Sequence, residues 1–301
     1  MKILVTGGSG FIGKPVIRIL LEKGHSIIAL SRSADEYNNV NKVDALQWIN
    51  TSLELDEANV QLIKDFAPEA IIHLAWEKIP DFSFETSLHN LQNQVTFFKQ
   101  ICQLSSVKKI IVAGSCFEYN QSFGECLESD TCTSTNYFTW AKNAVRDFLQ
   151  VECFQKKINL VWARIFYVYG PGQRSASLIP VIIKNLQEGK IPDLRKPANA
   201  NDFVYVDDVA DGFSQILEKE IPSGIYNLGS GRSTTVIDVL RMIDKQINNS
   251  DTIAGKVLTN ANHPVKEIDA WANIKKTMDS LNWQPSVTME EGIRKMINST
   301  V

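Results

Sequence analysis

The stretch that most constrains this chain is its beginning. Ile3-Leu4-Val5 is a short apolar run of the kind found in buried parallel strands. Gly7-Gly8-Ser9-Gly10-Phe11-Ile12-Gly13 follows at once, and Ile12, Val16, Ile19 and Leu20 then recur on one helical stripe. Strand, glycine turn and helix in this order form a dinucleotide-binding fingerprint. Gly7, Gly10 and Gly13 let the backbone turn tightly and come close to a pyrophosphate. Phe11 and Ile12 carry the unpaired N–H groups of the helix start towards it.

The second strand, Ser26 to Ser31, ends where a carboxylate would grip the adenine ribose hydroxyls of NAD. Here Ser31 and Arg32 stand instead. A guanidinium suits the 2′-phosphate of NADP, so NADP(H) is favoured over NAD(H). Further strands are expected at 45–49, 70–75, 108–113 and 159–164. Helices are expected at 56–66, 84–104 and 137–154. The alternation implies an α/β fold with a doubly wound parallel sheet, whose ligands bind at the carboxyl ends of the strands. Leu74, Ala75 and Ser115 fall at that edge. His73, inside an apolar strand, reads as a core histidine.

Composition excludes several classes. With 44% hydrophobic and 22% charged residues and a net charge of -3, the chain has no basic field for nucleic acid. No apolar run approaches the ~20 residues of a membrane span, and a first strand starting at residue 2 leaves no room for a leader. Five cysteines without a Cys-x-x-Cys pair argue against a disulfide framework or a metal site and for a cytoplasmic setting.

Several segments together resemble the extended short-chain dehydrogenase/reductase family, which holds nucleotide-sugar epimerases, dehydratases and reductases. Thr6 to Gly13 is similar to its cofactor loop, and Ile71 to Ala75 to its fourth strand. Gly114-Ser115-Cys116-Phe117-Glu118-Tyr119 is similar to the strand end that delivers a catalytic Ser/Thr. Arg164 to Gly172, Asp202 to Val209, Tyr226 to Gly231 and Leu281 to Pro285 match later family segments. The resemblance implies a Rossmann domain over 1–165. A smaller α/β substrate domain over 166–301 is implied too, with 203–220 returning to the first. It further implies a nicotinamide cofactor, a nucleoside-diphosphate sugar substrate and a homodimer built on the helices 84–104 and 137–154.

In that family a Tyr-x-x-x-Lys pair works with the Ser/Thr, the lysine holding the nicotinamide ribose and the tyrosine passing a proton. Ser115 and Lys142 occupy two of the three places. Phe138 occupies the tyrosine's. Tyr137 is one residue off, which on a helix is ~100° away. Three readings stay open: a Tyr→Phe change that removed the donor, use of Tyr137 or another hydroxyl, or nucleotide binding without redox chemistry.

Cys116 and Phe117 cannot serve as the acid–base pair that the family's 4,6-dehydratases carry after their Thr. The resemblance therefore favours an NADPH-dependent reductase of an NDP-4-keto-6-deoxyhexose, feeding deoxysugar or O-antigen synthesis. An NDP-sugar epimerase and a silent NADP-binding scaffold are the alternatives. Substrate contacts are expected from Ser115, Cys116, Tyr167, Ser177 and Leu178. Arg174, Arg195 and Arg232 are candidates for the diphosphate.

Overall fold

The computed structural model describes residues 1–34, 44–260 and 265–299. Its contacts divide the chain into two compact units. The first comprises Met1–Asn120, Thr131–Arg164 and Ala210–Tyr226; the second comprises Gln121–Asp130, Ile165–Val209 and Asn227–Val301.

The first unit is built on a seven-stranded sheet. β1 (Lys2–Thr6), β2 (Ser26–Ser31), β3 (Leu46–Asn50), β4 (Ala70–His73), β5 (Lys109–Ser115), β7 (Asn159–Ile165) and β11 (Gly224–Leu228) follow the order β11-β7-β5-β4-β1-β2-β3. β1 pairs in parallel with β2 on one side and β4 on the other, Thr6 lying opposite both Leu30 and His73. Strand order reverses at β1, and in such sheets the crevice at that point takes the ligand. The central strands are apolar throughout because both faces are covered: Ile3, Leu4, Val5, Ile71, Ile72, Ile110 and Ile111 are all buried.

The helices of this unit start and stop on local chemistry. α1 (Gly13–Glu22) buries Val16, Ile17 and Leu20. α2 (Glu57–Phe66) is capped by Asp56, which accepts the Asn59 N–H, and ends at a left-handed Ala67. α3 (Phe84–Ile101) is capped by Ser83 and α4 (Tyr137–Lys156) by Asn136. α3 ends three residues earlier than its apolar pattern suggests, because Gln103 and Leu104 turn back onto the Gln100 and Ile101 carbonyls. α3 and α4 pack side by side and share Phe97, Phe98, Val145 and Leu149 with the core.

The second unit holds β6 (Phe123–Cys126), β8 (Tyr167–Tyr169), β9 (Ala200–Asn201), β10 (Phe203–Tyr205), β12 (Thr234–Thr235) and β13 (Asp269–Ala272). They form a two-stranded sheet, β10-β8, and a four-stranded one, β12-β9-β13-β6. α5 (Leu178–Gln187) packs on α7 (Val236–Asn248). Asp202, fully buried, accepts N–H groups from Ser230, Gly231 and Ala272 at 2.6–3.0 Å, tying three segments together. Asp208, in the first turn of α6 (Val206–Glu218), accepts from Ser286 and Val287. That carboxylate serves the fold, and among the described residues no group of acidic, His or Cys side chains could hold a metal ion.

The division differs from the boundary expected from sequence in two places. Gln121–Asp130 leaves the first unit because β6 pairs in parallel with β13, Phe123 opposite Asp269. The chain re-enters the first unit at Ala210, within α6, and stays until Tyr226. No helix among the described residues is long and apolar enough to cross a membrane.

Candidate active site

The site begins with the turn after β1. Gly7 has φ +70°, and a Cβ there would lie 2.9 Å from the Ala75 nitrogen. A Cβ on Gly13 would sit 2.1 Å from the Gly7 carbonyl oxygen. Glycine is therefore required for β1, the turn and the β4 end to close on one another. No side chain caps the start of α1, and its first turn carries no acidic residue. The dipole at this start thus presents positive potential to an anion with no side-chain cap in the way, unlike the starts of α2, α3 and α4, which their own side chains cap.

A groove of about 200 Å³ opens beside this turn. Thr6, Gly7, Gly10, Ser31, Arg32, Leu74 and Ala75 line it, together with Ser9, Trp76, Glu77 and the run Thr51-Ser52-Leu53 after β3. Phe11, Ile12, Gly13 and Lys142, which the sequence also offered for the cofactor, are not among its lining residues. Ser31 Oγ lies 2.7 Å from Ser9 Oγ, joining the β2 end to the glycine turn. Arg32 is ion-paired at 3.2 Å with Glu77. The cradle of glycines, the uncapped helix and the groove fit the pyrophosphate and ribose of a dinucleotide.

The β4 end is fixed from below by α3. Asn90 accepts the Glu77 N–H at 2.8 Å, and Gln94 donates to the Ala75 carbonyl at 2.9 Å. Both are buried polar residues on the helix face turned to the loop. They belong to a buried face that is polar from Thr86 to Gln94 and apolar from Phe97 to Ile101, so no apolar periodicity marks them in the sequence. His73 is buried and hydrogen-bonded to Thr6 Oγ1 at 2.9 Å; burial, then the nearby Lys142 charge, pulls it down to about 3. It is a neutral core histidine.

Ser115 ends β5. Its Oγ accepts the Phe117 N–H at 3.3 Å, and Glu118 returns to the Ser115 N–H at 2.7 Å, a reciprocal cap of the short 3-10 turn Cys116–Tyr119. Lys142 projects from α4 into the same unit. Its Nζ donates to the Ala113 carbonyl at 2.7 Å and stands 4.3 Å over the Trp76 ring. Burial pulls the ammonium down to about 8, with Glu118 acting against that fall.

Phe138 is buried beside Lys142, its ring centre 5.8 Å from Nζ. Trp76 meets it edge-on at 5.4 Å, and Phe82 lies at 4.7 Å. Phe117 completes this aromatic wall at 6.4 Å. Tyr137 points elsewhere, half-exposed and edge-on to Phe84. Its ring faces Phe84 rather than the Phe138 pocket, as the ~100° step between neighbouring helical residues leads one to expect.

In the second unit, Tyr167 lies on β8 against Phe203 at 6.0 Å. Ser177 and Leu178 stand at the start of α5, where Ser177 offers no side-chain cap. Arg174, Arg195 and Arg232 are exposed. A larger cavity of about 590 Å³ lies in the first unit at the amino end of β7, between Arg146, Phe154 and Ile225; it contains none of the candidate residues.

Residues 3–229 match the model of the NAD dependent epimerase/dehydratase family. The chain is 26% identical to a dTDP-4-dehydro-6-deoxyglucose reductase of Escherichia coli, over 99% of this chain and 96% of that one. It is 25% identical to a CDP-abequose synthase of Salmonella muenchen, over 99% and 97%. A UDP-glucuronic acid 4-epimerase from Bacillus cereus, solved with NAD, superimposes with TM-score 0.84 at 22% identity, over 99% and 98% of the two chains. A UDP-glucose 4-epimerase from Thermotoga maritima, solved with UDP-glucose, gives 0.81 at 22%, over 100% and 98%. The chain belongs to the NAD dependent epimerase/dehydratase family, whose members here are nucleotide-sugar reductases, epimerases and dehydratases.

Proposed function

We propose that this protein reduces the 4-keto group of a nucleoside-diphosphate 4-keto-6-deoxyhexose with NADPH, giving the NDP-6-deoxyhexose. The observation that carries the reading is the mouth of the groove. Ser31 stands where a ribose-gripping carboxylate is expected, and Arg32 stands beside it, able to take a 2′-phosphate. Several solved relatives carry NAD, so cofactor choice is the decisive test. Two of the similar proteins are named for 4-keto reduction or the reverse oxidation of a 6-deoxysugar nucleotide, which supports the reaction class.

When bound, the nicotinamide supplies the hydride. Gly7, Gly10 and the start of α1 hold the pyrophosphate, and Lys142 holds the nicotinamide ribose. Ser115 uses an Oγ lone pair on the Phe117 N–H, so its proton remains to bond the substrate carbonyl oxygen. The carbonyl carbon gains that hydride, and the carbonyl oxygen takes its proton from the Ser115 hydroxyl, which solvent water reprotonates. Phe138 has no proton to give, so the chain as it stands turns over slowly. Tyr167, Ser177 and Leu178 contact the nucleotide sugar, and Arg174, Arg195 and Arg232 its diphosphate. Two copies pair along α3 and α4, where Phe84, Trp140, Val151 and Phe154 are exposed, and the protein works in the cytoplasm.

The test is NADPH oxidation with a panel of dTDP-, CDP-, UDP- and GDP-4-keto-6-deoxyhexoses. Consumption with one of them, raised in Phe138→Tyr, is expected. No oxidation by either protein with any sugar removes the reductase and leaves the epimerase or a nucleotide-binding scaffold.

A further inference from the structure

Under the catalytic strand lies a charge that the reaction as described does not use. Glu118 is fully buried. Its Oε1 accepts the Ser115 N–H at 2.7 Å, and Trp162 Nε1 lies 3.0 and 2.9 Å from the two carboxylate oxygens. Oε2 accepts Arg164 Nε at 3.0 Å and faces Arg146 at 3.5 Å. Arg164 is itself 1% exposed, stacked 4.2 Å over the Tyr119 ring and donating to Cys132 Sγ. A buried carboxylate is tolerated only when its lone pairs are engaged, and an apolar side chain would fill the same space at less cost. Gly114 is shaped to this arrangement: a Cβ there would sit 2.3 Å from Trp162 Nε1 and 2.9 Å from Glu118 Oε1.

We infer that Glu118 is a positioning residue of the candidate site: its carboxylate fixes the Ser115 backbone at the end of β5 and sets a negative charge at the same strand end to which the Lys142 ammonium is anchored. The inference rests on the reading of Ser115 and Lys142 as members of the reacting site. The first half follows from the reciprocal cap, which sets Ser115 at φ −143° and ψ 145°. The second half follows from where the two charges are anchored: Lys142 Nζ donates to the Ala113 carbonyl and Glu118 Oε1 accepts the Ser115 N–H, two residues further along the same strand. The neighbours of Lys142 are the Ala113 carbonyl and the Trp76 and Phe138 rings, none of them charged. His73, from β4, is held neutral. Glu118 is the charged group that acts in favour of the ammonium, while burial acts against it. Arg164 from β7 and Arg146 from α4 face the same carboxylate and partly offset it.

The test follows the Lys142 ammonium directly, by NMR titration of ε-¹³C-labelled lysine in the full-length protein, with Lys142→Arg to assign the signal. In Glu118→Gln the midpoint is expected to fall by about one pH unit, the scale of a nearby buried charge. In Arg146→Gln, which removes a cation facing Glu118, it is expected to rise by a few tenths. With an accepted sugar, Glu118→Gln lowers kcat and leaves the KM for NADPH within about twofold, as a transition-state effect does. A folded Glu118→Gln with an unmoved Lys142 midpoint overturns the inference. Should that variant not fold, an unmoved midpoint in Arg146→Gln overturns it equally. If no sugar is reduced by any form, the reductase reading fails, while the titration still decides the role of Glu118.

Discussion

Tyr137 and Phe138 are neighbours in sequence that face opposite surroundings. Phe138 is 3% exposed and lies among Trp76, Phe82 and Lys142, whereas Tyr137 is 52% exposed and edge-on to Phe84. A hydroxyl added at 138 would therefore lie among these side chains. Phe138→Tyr is expected to raise NADPH oxidation at least ~100-fold, the lower range for a positioned proton donor. Tyr137→Phe is expected to leave it within about twofold, measured in the same steady-state assay.

The proposed preference for NADPH is tested at Arg32. Arg32→Ala is expected to weaken NADPH binding by about tenfold or more, since it removes a bidentate phosphate partner. NADH binding should stay within about twofold. Fluorescence titration of both dinucleotides checks this. An equal loss for both, or NADH bound more tightly by the unaltered protein, would mark an NAD site.

The Lys142 charge has a signature in stability. Its folded value of about 8 lies below the ordinary 10.5. Between those two pH values the unfolded chain binds the proton and the folded one does not. Stability from this group therefore rises with pH across 8 to 10.5, by at most about 1.4 kcal/mol per pH unit. Denaturant titrations should show this rise in the unaltered protein relative to Lys142→Met.

His73 gives an effect of the same sign in the acid range. Its folded value of about 3 lies below 6.5, so the unfolded chain again binds more protons within that window. Stability should fall as pH falls from 6.5 towards 3, and His73→Gln should remove that part of the acid sensitivity. Chemical denaturation at a series of pH values tests the pair.

Gly13→Ala places a methyl 2.1 Å from the Gly7 carbonyl oxygen. The backbone must shift, at a cost of roughly 1–3 kcal/mol. Dinucleotide affinity is expected to drop at least about tenfold. Thermal unfolding and dinucleotide titration measure the two effects separately.

The strands and the glycine turn were legible in the sequence because their signals are local: apolar runs and a spacing of glycines. The family segments carried the rest of the fold. The Glu118 network was not legible, since its partners Trp162, Arg164 and Arg146 come from distant positions and meet only in the folded chain. The pair of Arg32 with Glu77 was hidden for the same reason. Thr51-Ser52-Leu53 entered the groove by lying beyond β3, a position that sequence alone gives only once strand order is known. Gln121–Asp130 was read as part of the first unit because nothing local announces a pairing partner near residue 269.

That last pairing has a consequence for how the chain is made. β6 emerges from the ribosome early, between the strand that carries Ser115 and the helix that carries Lys142, yet its hydrogen-bonding partner β13 is not complete until residue 272 has been added. From the addition of Cys126 until that of Ala272 the Phe123–Cys126 edge lacks this partner, with Phe123 exposed even in the finished protein. An unpaired edge of this kind invites pairing with other nascent chains. Yield in the cell should thus respond to chaperone supply and to elongation rate more than equilibrium stability alone would suggest.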